Sequence, residues 1–149
     1  MSTEFNKSVV ERFIAEAWNA GDHDTIDDLV HSTYAIAGIG NGPEAVKRNM
    51  EMYRTAFPDI ECVIEQLVAE GEWVAARLTL HGTHLGPLGN IPPSGKRVAM
   101  KEMAFWRVVD GKLHAIWSQG DALGLRIQIG AIPATAWDQP VPSNAQDSP

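Results

Sequence analysis

At Pro58 the spacing of apolar residues changes from helical to extended. Upstream, Phe5, Val9, Phe13 and Ala17 recur every four residues, with Val10, Ile14 and Trp18 widening the apolar face. This spacing predicts an amphipathic helix that begins near Ser2 or Thr3 and ends near Gly21. The stretch GDHDT offers capping aspartates for a short helix, TIDDLVH, and STYAIAGI reads as a strand. A further helix is predicted from Pro43, with Val46, Met50, Tyr53 and Phe57 on its buried face. Downstream of Pro58 the period is two. Ile60, Cys62 and Ile64 alternate with their neighbours, EGE reads as a turn, and WVAARLTLHGTH follows as a second strand. A loop dense in Gly and Pro, LGPLGNIPPSGK, leads to the long strand RVAMKEMAFWRVV, and Asp110-Gly111 signals a tight hairpin into KLHAIWSQ. Helices that precede an antiparallel meander indicate an α+β fold with the helices on one sheet face.

At 149 residues the chain has the length of one domain, and 44% hydrophobic residues suffice for a core. A net charge of −7 leaves no electrostatic footprint for nucleic acid or an anionic membrane, so neither is an expected partner. The lone Cys62 has no partner for an internal disulfide, and the N-terminus lacks the apolar stretch of a secretory signal. No run approaches the roughly 18 apolar residues of a membrane span. A soluble, cytoplasmic protein is expected. From Ala131 the tail AIPATAWDQPVPSNAQDSP has four Pro and little periodicity, so residues 1–130 are read as the domain and 131–149 as an extended or disordered tail, with Trp137 a candidate local anchor.

The succession RTAFPD (54–59), GTHLGPL (82–88), IPPSGK (91–96), FWRVVDGK (105–112) and W…D..GL..QIG (117–130) resembles the SnoaL-like polyketide cyclases of the NTF2-like superfamily. The likeness runs in order over roughly residues 5 to 130. It implies a cone in which a strongly bent antiparallel sheet and the early helices enclose an apolar pocket. It also implies a homodimer or homotetramer formed through the outer sheet face. The activity implied is ring closure of a polyketide-like, polycarbonyl small molecule by intramolecular aldol condensation, without metal or cofactor, with one aspartate near the start of the last short helix as acid and base.

By motif that aspartate is Asp121, in WSQGDALGL. A base there would take an acidic α-proton, and the resulting acid would return it to the new alkoxide. The residue pattern alone also allows a plain helix N-cap, whose amide bonds would lower the carboxyl pKa. Glu102 is the second carboxylate of interest. Alternation along RVAMKEMAFW places Met100, Glu102, Ala104 and Trp106 on one face and Lys101, Met103, Phe105 and Arg107 on the other. If the first face lines a cavity, Glu102 joins Asp121 inside it, and two nearby carboxylates push one pKa upward. Tyr34, Met50, Tyr53, Phe57, Met100, Trp106 and Trp117 are the candidate substrate-binding positions.

The sequence departs from the family pattern. Aldol cyclases of this type carry an Asn on the first strand, and a Gln and a His two residues apart on the long strand. Those positions correspond here to Ile36, Glu102 and Ala104. The departure favours a different cyclisation, or an apolar site that acts by folding its substrate as a pericyclase does. Limonene-type epoxide hydrolases of the superfamily need an Arg beside the acids, and IWSQGD offers none. A non-catalytic small-molecule binding protein is the remaining alternative. His81 and His84 in HGTH lack the convergent geometry of metal ligands, and GIGNG before Pro43 lacks dinucleotide-binding spacing and reads as a turn.

Overall fold

The computed structural model describes residues 1–135. Trp137 and most of the proline-rich tail lie outside the described residues. The order of elements follows the change of period at Pro58, with helices first and sheet second.

Helix α1 (Thr3–Arg12) starts where the Ser2 side chain accepts a hydrogen bond from the Phe5 amide. The expected single helix does not continue in one form. Residues Phe13–Asn19 wind as a π-helix, with Ala20 N–H reaching back to the Ala15 carbonyl. The four-residue apolar spacing fits either winding, so the sequence pattern is blind to the change. The wider turn delivers Asn19 to the sheet edge. Its Nδ2 donates to the Cys62 carbonyl at 3.0 Å and its Oδ1 accepts from the Cys62 amide at 2.7 Å, so one side chain replaces a neighbouring strand. Helix α2 (His23–Leu29) is capped by Asp22, which accepts from the Asp24 amide.

The stretch expected as one strand is a small hairpin, β1 (Ala35–Ile36) paired with β2 (Gly40–Asn41). Three glycines at positive φ, Gly38, Gly40 and Gly42, break it into short pieces. Helix α3 (Gly42–Ala56) follows with Pro43 in its first turn and ends before Pro58, as predicted. The sheet is an antiparallel meander of β3 (Glu61–Glu70), β4 (Trp73–Thr83), β5 (Arg97–Val109) and β6 (Lys112–Gly120), in that spatial order. Asp110 and Gly111 both take positive φ, 48° and 76°, which is the backbone of the tight hairpin their sequence signals. Helix α4 (Ala122–Gln128) closes the order.

Alternation decides which sheet face is dry. Val74, Ala76, Leu78 and Leu80 of β4 and Val98, Met100, Ala104 and Trp106 of β5 are buried, and they pack in one core with Val10, Phe13, Ile14 and Ala17 from the first helical segment and Val46 and Met50 from α3. The opposite face carries Val68, Ala75, Phe105 and Trp117 in one cross-strand row. Phe105 is 51% and Trp117 59% exposed, and the Trp117 ring lies 5.2 Å from that of Trp73. No helix among the described residues is long and apolar enough to cross a membrane.

The Asn19 clamp joins the helical layer to β3 through two part-buried hydrogen bonds. Asn19→Ala should therefore lower stability by about 1–3 kcal/mol. Urea unfolding followed by tryptophan fluorescence should show a lower midpoint at unchanged slope.

Candidate active site

Between the helices and the inner face of the sheet lies a cavity of about 440 Å³, within the range that holds a small organic ligand. Its floor is the inward face of β4 and β5, through Leu78, Leu80, Met100 and Trp106. Its roof includes Trp18, and Tyr53 of α3, whose rings meet edge to face at 5.9 Å. The β1–β2 hairpin supplies Ile36 and Ile39 along one side.

The hairpin is held down from outside the cavity. His31 N–H donates to the Leu113 carbonyl, Thr33 Oγ1 donates to the His114 carbonyl, and the imidazoles of His31 and His114 stack at 3.9 Å. His114 is the extra residue where the β5–β6 register shifts, so a bulge turns its ring toward the hairpin. Partial desolvation, with repulsion from His31 second, keeps its pKa below the ordinary histidine value.

Glu102 is the acidic residue of the cavity lining, and that lining contains no Lys, Arg or His. It occupies the inward face of β5 that strand alternation assigns to it, opposite Gly120 of β6. A Cβ on Gly120 would sit 3.5 Å from Glu102 Oε2, in ordinary van der Waals contact, so the carboxyl lies directly against β6. Burial raises the Glu102 pKa above the usual carboxylate range, and the facing Ser118 hydroxyl opposes that rise in part. The charge reaches its neighbours: Cys62, also on the lining, is pushed up to about 12, first by burial and then by Glu102. Cys62 is therefore a neutral thiol, part of the wall and not a nucleophile.

Asp121 stands elsewhere. It is exposed and absent from the lining of the inner cavity, and it shares a lining with Glu102 only in a separate, more open depression beside β4, β5 and β6 that Arg77 and Lys101 also border. One residue beyond Gly120 the chain leaves β6: the Asp121 amide donates to the Lys101 carbonyl, and its Oδ1 accepts from the Gly124 amide at 2.8 Å as the N-cap of α4. The preference of Asp for unpaired first-turn amides accounts for this placement. Of the other expected residues, Tyr34, Tyr53, Met100 and Trp106 line the cavity. Met50 and Phe57 do not; both are fully buried, and Phe57 packs on the His84 ring at 5.5 Å. Trp117 borders the cavity, yet strand alternation sends its ring to the outer face beside Trp73.

Two polar lining residues escaped the sequence reading. Asn49 falls three residues after Val46 and four before Tyr53, on the same stripe of α3, and Ser118 falls two residues before Gly120 on the inward face of β6. A polar residue on an otherwise apolar stripe is the signal that could have found both. His84 is fully buried, but its Nδ1 is spent on Ser94 of the following loop. Arg107 lies on the outer face, paired with Glu72 at 2.8 Å.

Comparison with known proteins agrees with this architecture. Residues 8–129 match the family model described as SnoaL-like polyketide cyclase. Aklanonic acid methyl ester cyclase DnrD of Streptomyces peucetius is 34% identical, over 87% of this chain and 92% of that protein. Nogalonic acid methyl ester cyclase of Streptomyces nogalater is 32% identical, over 78% and 92% respectively. Among solved structures, TsrD from Streptomyces laurentii superposes with a TM-score of 0.81 at 27% identity, covering 89% of this chain and 99% of that one.

The raised carboxyl makes a prediction about stability. Between the ordinary glutamate pKa and the raised one, the folded state binds more protons than the unfolded state, so stability falls as pH rises through that window. Glu102→Gln removes this loss. Its melting temperature should exceed that of the unsubstituted protein at pH 8, and the gap should shrink toward pH 4.

Proposed function

The chain belongs to the SnoaL-like polyketide cyclase family, and from that premise we propose that it closes a carbon ring in a neutral polycarbonyl substrate with Glu102 as the proton carrier. The observation that carries this reading is the position of Glu102: a half-buried carboxyl of raised pKa on the lining of an apolar cavity. Ionised Glu102 takes the proton from a carbon flanked by carbonyls, and the C–H electron pair moves into an enolate. The enolate carbon attacks a second carbonyl of the same molecule, forming the new C–C bond, and that carbonyl oxygen becomes an alkoxide. Protonated Glu102 then returns the proton to the alkoxide. Atoms and electrons balance within one substrate, so no co-reactant is required.

Shape does more of the work than the acid. Folding one chain so that its two ends meet replaces an encounter by a unimolecular step, which is worth on the order of 7–11 kcal/mol, while a placed proton carrier contributes a factor of about 10²–10⁴. The apolar floor and the aromatic roof serve that folding. A free carboxylate on the substrate would meet Glu102 with no cation to offset it. A masked carboxyl is therefore favoured, in keeping with the methyl esters in the names of two relatives.

A second reading gives the proton to Asp121. It is favoured by the position of Asp121 directly after Gly120, against which Glu102 lies, and by the family motif that contains it. Turnover of a polycarbonyl methyl ester separates the two. Glu102→Gln should lower kcat by about 10²–10⁴ with KM nearly unchanged, and Asp121→Asn should stay within a few-fold of the unsubstituted enzyme. The reverse pattern assigns the role to Asp121, and full activity in both leaves substrate folding alone. In the unsubstituted enzyme the rate should rise with pH through a midpoint above the ordinary glutamate value, because only the ionised base accepts the proton.

The outer sheet face supports a proposal about assembly. An exposed apolar row of this kind is what a homodimer interface covers. Its charged groups lie at the margins of the row, Arg77 and Lys101 toward one end and Glu70 with the Arg107–Glu72 pair toward the other, which leaves the apolar centre free for a two-fold contact. Phe105→Glu should shift the light-scattering mass toward a single chain, and an unchanged mass would remove this face from the assembly.

A further inference from the structure

The hydrogen bond between Trp106 and Tyr34 can run in one direction only. Indole Nε1 carries a proton and no acceptor lone pair, so at 3.2 Å Trp106 donates and Tyr34 Oη accepts. A phenol has one proton of its own to give. No acceptor among the described residues takes the Tyr34 proton, although Tyr34 is only 2% exposed and both rings line the cavity. A buried donor left unmatched costs about 1–3 kcal/mol, so its retention needs a reason.

Tyr34 is also fixed from both sides of its backbone. Its amide donates to the His31 carbonyl at 3.0 Å, and its carbonyl accepts from the Gly42 amide at 2.7 Å, across the foot of the β1–β2 hairpin. The ring therefore has little freedom to look for another partner. The bond received from Trp106 draws electron density from the phenol oxygen and strengthens its O–H as a donor.

We propose that the Tyr34 hydroxyl, oriented and polarised by Trp106, is the donor that holds the oxyanion formed when Glu102 removes the substrate proton. Because the proposal builds on the reading of Glu102 as base, its test has to stand apart from that reading. Burial, with a smaller contribution from the Glu102 charge, keeps the phenol fully protonated, so Tyr34 donates across the whole working pH range and is not itself the base. The two groups divide the work: the carboxyl moves the proton, and the phenol donates a hydrogen bond to the substrate oxygen on which negative charge is left. Such a donor is placed in advance at a position shielded from solvent, where removal of one oxyanion partner commonly costs about 10²–10³ in kcat.

The test uses 2-naphthol, whose ionised form has its own absorption band and stands in for an enolate. In the Glu102→Gln protein, where the cavity carries no anion, bound naphthol should ionise at lower pH than naphthol in water. Adding Tyr34→Phe, which keeps the ring and removes one oxygen, should abolish that shift and weaken naphtholate binding at least tenfold while neutral naphthalene binds as before. In turnover, Tyr34→Phe alone should lower kcat by about 10²–10³ with KM little changed, and Trp106→Phe should lower it less. Thermal melts of each variant check that the fold persists. If Glu102→Gln remains active yet the naphthol shift depends on Tyr34, the base assignment falls and the oxyanion donor stands. A naphthol shift that survives Tyr34→Phe, or no shift in the Glu102→Gln cavity, overturns the inference whatever Glu102 does.

Discussion

The alternation of β5 is the constraint from which the site follows. Every second residue from Val98 to Val108 faces the helices, and each of them is apolar except Glu102. Register with β4 and β6 is fixed on both sides, Leu78 opposite Glu102 on one and Gly120 on the other. A slip by one residue would turn the whole apolar set to solvent, so the carboxyl cannot leave the interior without dismantling the core. Its burial is enforced by the folding energy of its neighbours.

That arrangement explains why the cavity is chemically sparse. An ionised carboxyl in an apolar space is costly, and no Lys, Arg or His on the lining lowers that cost. The carboxyl responds with a raised pKa, which brings it toward the range useful for exchanging protons with carbon acids at neutral pH. The same absence of cations disfavours anionic ligands and leaves recognition to shape, to the aromatic walls, and to a few polar groups such as Asn49 and Ser118.

Much of this was legible in the sequence, for reasons that can be named. The change of period at Pro58 separates helices from sheet, and the alternation of RVAMKEMAFW assigns Glu102 and Trp106 to the inner face, where they lie. Periodicity could not separate core from cavity lining on one helix face. Met50 and Tyr53 share the stripe of α3, yet only Tyr53 reaches the open space. Nor could it say what a residue does at the junction of two elements. Asp121 carries both a family motif and a cap signal, and in this structure the cap holds one of its oxygens. Trp117 misled because an aromatic residue on an edge strand serves equally as cavity wall or outer surface. The π-helical turn at Phe13–Asn19 leaves no trace in apolar spacing, although it is what brings Asn19 to Cys62.

The proposed chemistry rests on the protonation of one side chain inside the cavity. Carbon-13 NMR of protein labelled at the glutamate δ-carbons, with the Glu102 resonance identified by its loss in Glu102→Gln, reads that protonation directly. The prediction is a single glutamate that titrates above all the others and moves when a neutral polycarbonyl ligand binds. A Glu102 resonance that titrates with the surface glutamates and ignores the ligand would contradict it.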